Sequence, residues 1–166
     1  MMKENIILIG MPGVGKSTLG VVLAKRLGYD FLDVDIQIAK KAAMPLQKIL
    51  DTQGLDAFLQ LEAEMGQKVD TEKTVIATGG SMVLSETAMK HLKTQGICVF
   101  LNITLAELEA RNLNMKTRGI AAKPGTTLED VYTERQALYK RYADVMINCD
   151  NKGAECLVQE IAEAIL

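Results

Sequence analysis

The stretch Ile6-Ile7-Leu8-Ile9-Gly10-Met11-Pro12-Gly13-Val14-Gly15-Lys16-Ser17-Thr18 decides how this chain folds. Four apolar residues in a row read as a short strand buried on both faces, and hence as a central strand of a parallel sheet. The glycines after it allow a tight bend with no Cβ in the way, and a helix opens at once behind them. That order turns backbone N–H groups and the positive end of the helix dipole toward one point in space, which suits an anion of high charge density. Gly13, Val14, Gly15, Lys16, Ser17 and Thr18 are therefore the candidate nucleotide contacts. Lys16 can reach the β- and γ-phosphates and Ser17 can hold Mg²⁺. The plainer alternative is a glycine turn that joins strand to helix and binds nothing.

Working outward, 16–27 reads as a helix with Leu19, Val22, Leu23 and Leu27 at helical spacing, closed by Gly28. A second strand is expected over 29–33. Helical periodicity then runs over 36–70, broken near Pro45 and Gly54, as an insertion before a third strand at 74–77. A helix around 86–94, a strand at 97–101 and a helix at 105–111 follow. Residues 112–125 have no clean period and read as a loop that acts as a lid. Thr127 and Asp130 form a capping pattern at the head of the next helix, ahead of a fifth strand at 145–147 and an amphipathic helix over 154–166. Strands alternating with helices imply an α/β fold with a parallel sheet covered on both faces, in which ligands bind beyond the carboxyl ends of the strands.

The bulk properties narrow the function. With 166 residues, 48% apolar and 24% charged, the chain is expected to be one globular domain with a core of its own. A net charge of −2, with both signs mixed along the chain, gives no reason to expect a nucleic-acid partner. Cys98, Cys149 and Cys156 stand in no metal-ligand or C-x-x-C spacing, which points to a reducing, cytoplasmic compartment. No stretch is apolar for long enough to suggest a signal segment or a membrane span. The sole histidine, His91, lies in an amphipathic helix far from every motif and is given no role.

Two carboxylates, Asp33 and Asp35, follow the second strand with one residue between them. In a strand that spacing puts both on one side, facing the phosphate loop. One can orient Mg²⁺ and the other can take the proton of an attacking hydroxyl. The alternative is a helix N-cap.

These residues resemble the shikimate kinase family of phosphate-loop kinases over nearly the whole chain. The likeness rests on the loop, on Phe31-Leu32-Asp33-Val34-Asp35, on Gly54 with Phe58 and Glu62, and on Ala77-Thr78-Gly79-Gly80. It continues through the loop from Arg111 to Arg118 and through Arg135-Gln136-Ala137-Leu138-Tyr139 with Ala143-Asp144. The resemblance implies a three-layer fold with strand order 2-3-1-4-5 and a reaction that moves the γ-phosphate of ATP to a hydroxyl of shikimate; the chain is expected to be a monomer. It implies that Lys16 stabilises the transferring phosphoryl group, Ser17 ligates Mg²⁺, Asp33 supports the metal and Asp35 holds and polarises the acceptor hydroxyl. Arg118 would close over the γ-phosphate, and Arg135 would pair with the substrate carboxylate. Arg111 would lie against the adenine near Asn151, Lys152 and Gly153. Gly79, Gly80 and Ser81 would border the acceptor.

Three departures fall outside the phosphate loop. Leu59 stands where the family has an arginine that grips the substrate carboxylate, and Glu62, which would help to hold that arginine, needs another partner. Ser81 replaces a glycine and adds a side chain beside the substrate ring. Gly119 follows Arg118 where the family has proline, which loosens the lid. The acceptor is therefore open between shikimate and another small hydroxy compound, and a nucleotide-binding module without productive transfer is the non-enzymatic alternative.

Overall fold

Residues 4–111 and 120–165 are described in the computed structural model of the chain. Strand β1 (Asn5–Ile9) is buried along its whole length, as its apolar run 6–9 requires, with the Asn5 side chain hydrogen-bonded to backbone at Gln95 and Thr74. It pairs with β3 (Thr74–Ala77) on one side and β4 (Gly96–Asn102) on the other, Leu8 standing opposite Ala77 and Val99. The sheet is completed by β2 (Asp30–Asp33) beside β3 and β5 (Val145–Asn148) beside β4. All four pairings are parallel and the order is β2-β3-β1-β4-β5, as expected. The carboxyl ends of β1, β2 and β3 therefore open side by side.

Helix α1 (Lys16–Leu27) ends at Gly28, whose φ of 69° lets its N–H turn back onto the Ala24 and Lys25 carbonyls. Leu19 and Leu23 face the core, but Val22, expected on the same stripe, is 38% exposed. Leu19 and Leu23 lie four apart and stack on one line of the helix. Val22 falls to the side of that line, in a shallow groove where α1 meets α8 (Ala154–Ile165).

The insertion comprises α2 (Val34–Ala42), α3 (Leu46–Gln53) and α4 (Leu55–Gln67), interrupted at Pro45 and Gly54. It begins two residues earlier than the periodicity suggests, because the Asp33 carboxylate accepts a hydrogen bond from the Ile36 N–H (3.2 Å) and caps α2. Asp33 and Asp35 therefore do not share one face of a strand. Only Asp33 ends a strand, and Asp35 stands in the first turn of a helix.

After β3 comes a 3₁₀ turn (Met82–Leu84), then α5 (Glu86–Gln95), α6 (Leu105–Arg111) and α7 (Leu128–Tyr142). Thr127 and Asp130 form the reciprocal capping box at the head of α7. Helices α5 and α7 pack against β4, and α8 packs against β5 and α1. Cys98 and Cys149 are buried while Cys156 is exposed. His91 Nε2 lies 2.7 Å from the Val69 carbonyl, a tie between α5 and the end of the insertion. Among the described residues no helix is long and apolar enough to cross a membrane.

Candidate active site

Gly15 has a φ of 108° and Gly13 one of 88°, both in the left-handed region that glycine enters without strain. Gly15 is the N-cap of α1, with no side chain capping it and no acidic residue in the first turn. The helix thus begins with free donors and an uncompensated positive end. Val14 differs from the other loop residues, because its N–H donates to the Met11 carbonyl (3.2 Å) and its side chain is buried.

Lys16 folds over the loop, its Nζ donating to the carbonyls of Gly10 (2.6 Å) and Met11 (2.9 Å). Burial lowers its pKa to about 8, against the pull of the Asp35 carboxylate. An ammonium stripped of water in this way gains from an anionic partner. Ser17 Oγ donates to Asp33 Oδ2 (2.5 Å), while the other Asp33 oxygen keeps the cap on α2. Asp33 therefore caps α2 with one oxygen and holds Ser17 with the other. A hydroxyl and a carboxylate side by side are hard oxygen donors, which fit Mg²⁺.

Asp35 turns into the same space from the first turn of α2. Its Oδ1 is buried without a hydrogen-bond partner among the described residues, and burial raises the pKa of the carboxyl, offset by Lys16. The end of β3 supplies the opposite wall. Thr78 ties that strand to β1 through N–H and hydroxyl bonds to the Leu8 carbonyl (3.2 and 2.8 Å). Gly79 then passes so close to Asp35 that a Cβ there would stand 2.7 Å from Oδ1. Tyr139, fully buried on α7 and stacked on Phe100 at 5.1 Å, donates its hydroxyl to the Gly80 carbonyl (2.6 Å) and fixes this segment.

The charged pattern of α7 alone places Arg135 in solvent. Instead it shares the buried face of Val131, Tyr139 and Tyr142 and is 2% exposed. One Nη2 hydrogen bond goes to the Ala121 carbonyl, while Nε and Nη1 are buried and unpartnered among the described residues. Lys16, Ser17, Asp35, Thr78, Gly79, Gly80 and Arg135 line a cavity of about 400 Å³ that begins at Gly13, with Asp33 bonded to Ser17 and Tyr139 to Gly80. Phe58, Glu62 and Ser81 line it as well; Leu59 does not, packing instead against the hydrophobic core. Glu62 is 1% exposed and Ser81 donates to it (2.5 Å), so the hydroxyl expected beside the substrate is held by a neighbouring side chain. A signal for Glu62 exists in the sequence, since it falls four residues from both Phe58 and Gly66 on the buried stripe of α4.

Arg111 and Lys152 do not line this cavity. Arg111 pairs with Glu107 (2.9 Å) and donates to the Cys149 carbonyl (3.1 Å), while Glu107 accepts from the Asn151 N–H (3.0 Å). Arg111 is thus beside the turn where it was expected. Lys152 is drawn to Glu160 of α8 (2.9 Å). Arg118 and Gly119 lie outside the described residues.

The cavity therefore joins the glycine loop, where Ser17 is bonded to Asp33, to a space bounded by Asp35 and Arg135. A family model described as shikimate kinase matches residues 12–166. The chain is 32% identical to the shikimate kinase of Colwellia psychrerythraea, over 98% of its own length and 97% of that protein. It is 34% identical to the shikimate kinase of Pasteurella multocida, over 98% and 95%. Among solved structures, the shikimate kinase from Acinetobacter baumannii in complex with shikimate superposes with a TM-score of 0.90 at 30% identity, covering 98% of this chain and 92% of that one. With fold, cavity and sequence in agreement over almost its whole length, the chain belongs to the shikimate kinase family.

Proposed function

We propose that this chain transfers the γ-phosphate of ATP to a hydroxyl of shikimate, giving ADP and shikimate 3-phosphate. One observation carries the reading. In a single cavity walled by the phosphate loop, Asp35 Oδ1 and Arg135 Nε and Nη1 are buried and without a hydrogen-bond partner among the described residues. A hydroxy acid answers both, its hydroxyl to the carboxylate and its carboxylate to the guanidinium fork.

The acceptor oxygen bonds to the γ-phosphorus as the bond from that phosphorus to the bridging oxygen breaks, and the electron pair leaves with ADP. Asp35 holds the hydroxyl and takes its proton, a task helped by a pKa raised through burial. Lys16 and the N–H groups at the head of α1 stabilise charge on the phosphoryl oxygens, which is the main demand of a loose transition state. Ser17 and Asp33 would hold Mg²⁺, which would further neutralise the phosphates. The family resemblance assigns Arg118, outside the described residues, to the γ-phosphate, and Arg111 and Lys152 to the nucleotide at the turn after β5.

Leu59 favours a second reading. With no cation at that position, the acceptor carboxylate has one arginine to hold it, and a hydroxy compound with a weaker anionic anchor fits as well. Coupled ADP release measured over shikimate, quinate, gluconate and nucleoside monophosphates separates the two. Shikimate should give the highest kcat/KM. A higher value for another acceptor supports the second reading, and ATP binding without transfer to any of them leaves a nucleotide-binding module.

A further inference from the structure

Ser81 and Glu62 are nineteen residues apart in the chain, on the 3₁₀ side of β3 and on α4, yet both are buried, at 4% and 1% exposure. The Ser81 hydroxyl takes one oxygen of the Glu62 carboxyl, Oε1, at 2.5 Å. The other oxygen, Oε2, has no partner among the described residues, and neither has Asp35 Oδ1. Both of these free oxygens close on the same backbone point: a Cβ on Gly79 would collide with Glu62 Oε2 and would stand 2.7 Å from Asp35 Oδ1. Two acceptor atoms from two helices are therefore gathered side by side on the wall of the cavity. Arg135 and Lys16 act on Glu62 through space, but among the described residues no cation forms an ion pair with it, and Leu59, one helical step away, cannot. The Ser81 bond is what orients this carboxyl.

We propose that Ser81 is a positioning residue for the acceptor: it holds Glu62 so that Oε2 stands beside Asp35 Oδ1, and the two oxygens accept from neighbouring hydroxyls of one acceptor molecule. This rests on the proposed transfer to shikimate. The site then selects a vicinal diol and compensates for a carboxylate held by one arginine.

The test combines Ser81→Ala, Glu62→Gln and the double variant with shikimate and 4-deoxyshikimate, which lacks the hydroxyl next to the one phosphorylated. Shikimate Kd is measured by calorimetry without nucleotide, and the KM values for acceptor and ATP by ADP release. S81A should raise the shikimate Kd and KM about tenfold, the loss of one oriented hydrogen bond, with the ATP KM within about twofold. In the E62Q background the same change should add less than about twofold, because Ser81 acts through Glu62. With 4-deoxyshikimate the S81A loss should shrink to less than about twofold. An unchanged shikimate Kd, losses that multiply in the double variant, or an equal loss on the deoxy compound overturns the inference. Should S81A not fold, E62Q decides alone, because an equal affinity for shikimate and unaltered discrimination against the deoxy compound overturn it. Shikimate binding without turnover refutes the proposed reaction and leaves the Kd comparison to judge Ser81, whereas no binding to the wild type refutes both.

Discussion

Arg135→Lys isolates the acceptor half of the site. Arg135 is 2% exposed, uses Nη2 on the Ala121 carbonyl and, among the described residues, leaves Nε and Nη1 without a hydrogen-bond partner. These two donors form a planar fork that can hold both oxygens of a carboxylate. Lysine keeps the charge but not the fork, so one charge-assisted hydrogen bond is lost. At about 1.5–3 kcal/mol for such a bond, kcat/KM for shikimate should fall about 10- to 150-fold. The assay is ADP release with shikimate and with its methyl ester, which keeps the hydroxyls and drops the negative charge. The wild type should prefer the acid, and the variant should lose most of that preference while the ester rate changes little. An equal loss on acid and ester would place Arg135 in the framework and refute its role toward the carboxylate. An unchanged rate on shikimate would refute any contact with the acceptor.

Three further outcomes follow from the same geometry. Tyr139→Phe strands the Gly80 carbonyl, a cost of about 1–3 kcal/mol, so calorimetry should show Tm lower by about 2–12 °C; an unchanged Tm contradicts the bond. Burial, opposed by the Ser81 bond and reinforced by Asp35, lifts Glu62 from 4.5 to about 7. The folded protein therefore keeps a proton that the unfolded chain has released, and stability should fall as pH rises from 4.5 to about 7, by at most about 3 kcal/mol from this group. Urea titrations across that range should show a shallower slope in E62Q, and an identical slope removes Glu62 as the cause. Burial pushes the Cys98 and Cys149 thiols up to about 12, whereas Cys156 is exposed, so a thiol reagent should titrate one cysteine in the native protein and three after denaturation. Two or three fast thiols would contradict the burial.

The nucleotide half of the site is legible in the chain because it is local. The glycines, Lys16 and Ser17 follow one another, and the backbone they require is set by the strand before and the helix after. Helix α7 is legible at its head for the same reason, since the capping box spans four residues. The acceptor half depends on contacts between distant segments, and there local patterns mislead. The Asp33–Asp35 spacing looks like one face of a strand, but the first carboxylate starts a helix, and only the fold shows that the second still reaches the loop. Arg135 sits among charged residues and reads as solvated, because periodicity cannot tell a face turned to water from one turned to a cavity. Ser81 and Glu62 signal nothing as a pair, their bond existing only once α4 crosses the end of β3. Leu59 is read from a family comparison as a lost contact, and its packing into the core accounts for the residue itself.

The most direct test of the account is ³¹P NMR of the purified protein with ATP, Mg²⁺ and shikimate. A phosphomonoester resonance coupled to the proton on carbon 3 of shikimate should grow as the ATP signals convert to those of ADP. ADP and inorganic phosphate with no phosphomonoester, or spectra that do not change when shikimate is added, would contradict it.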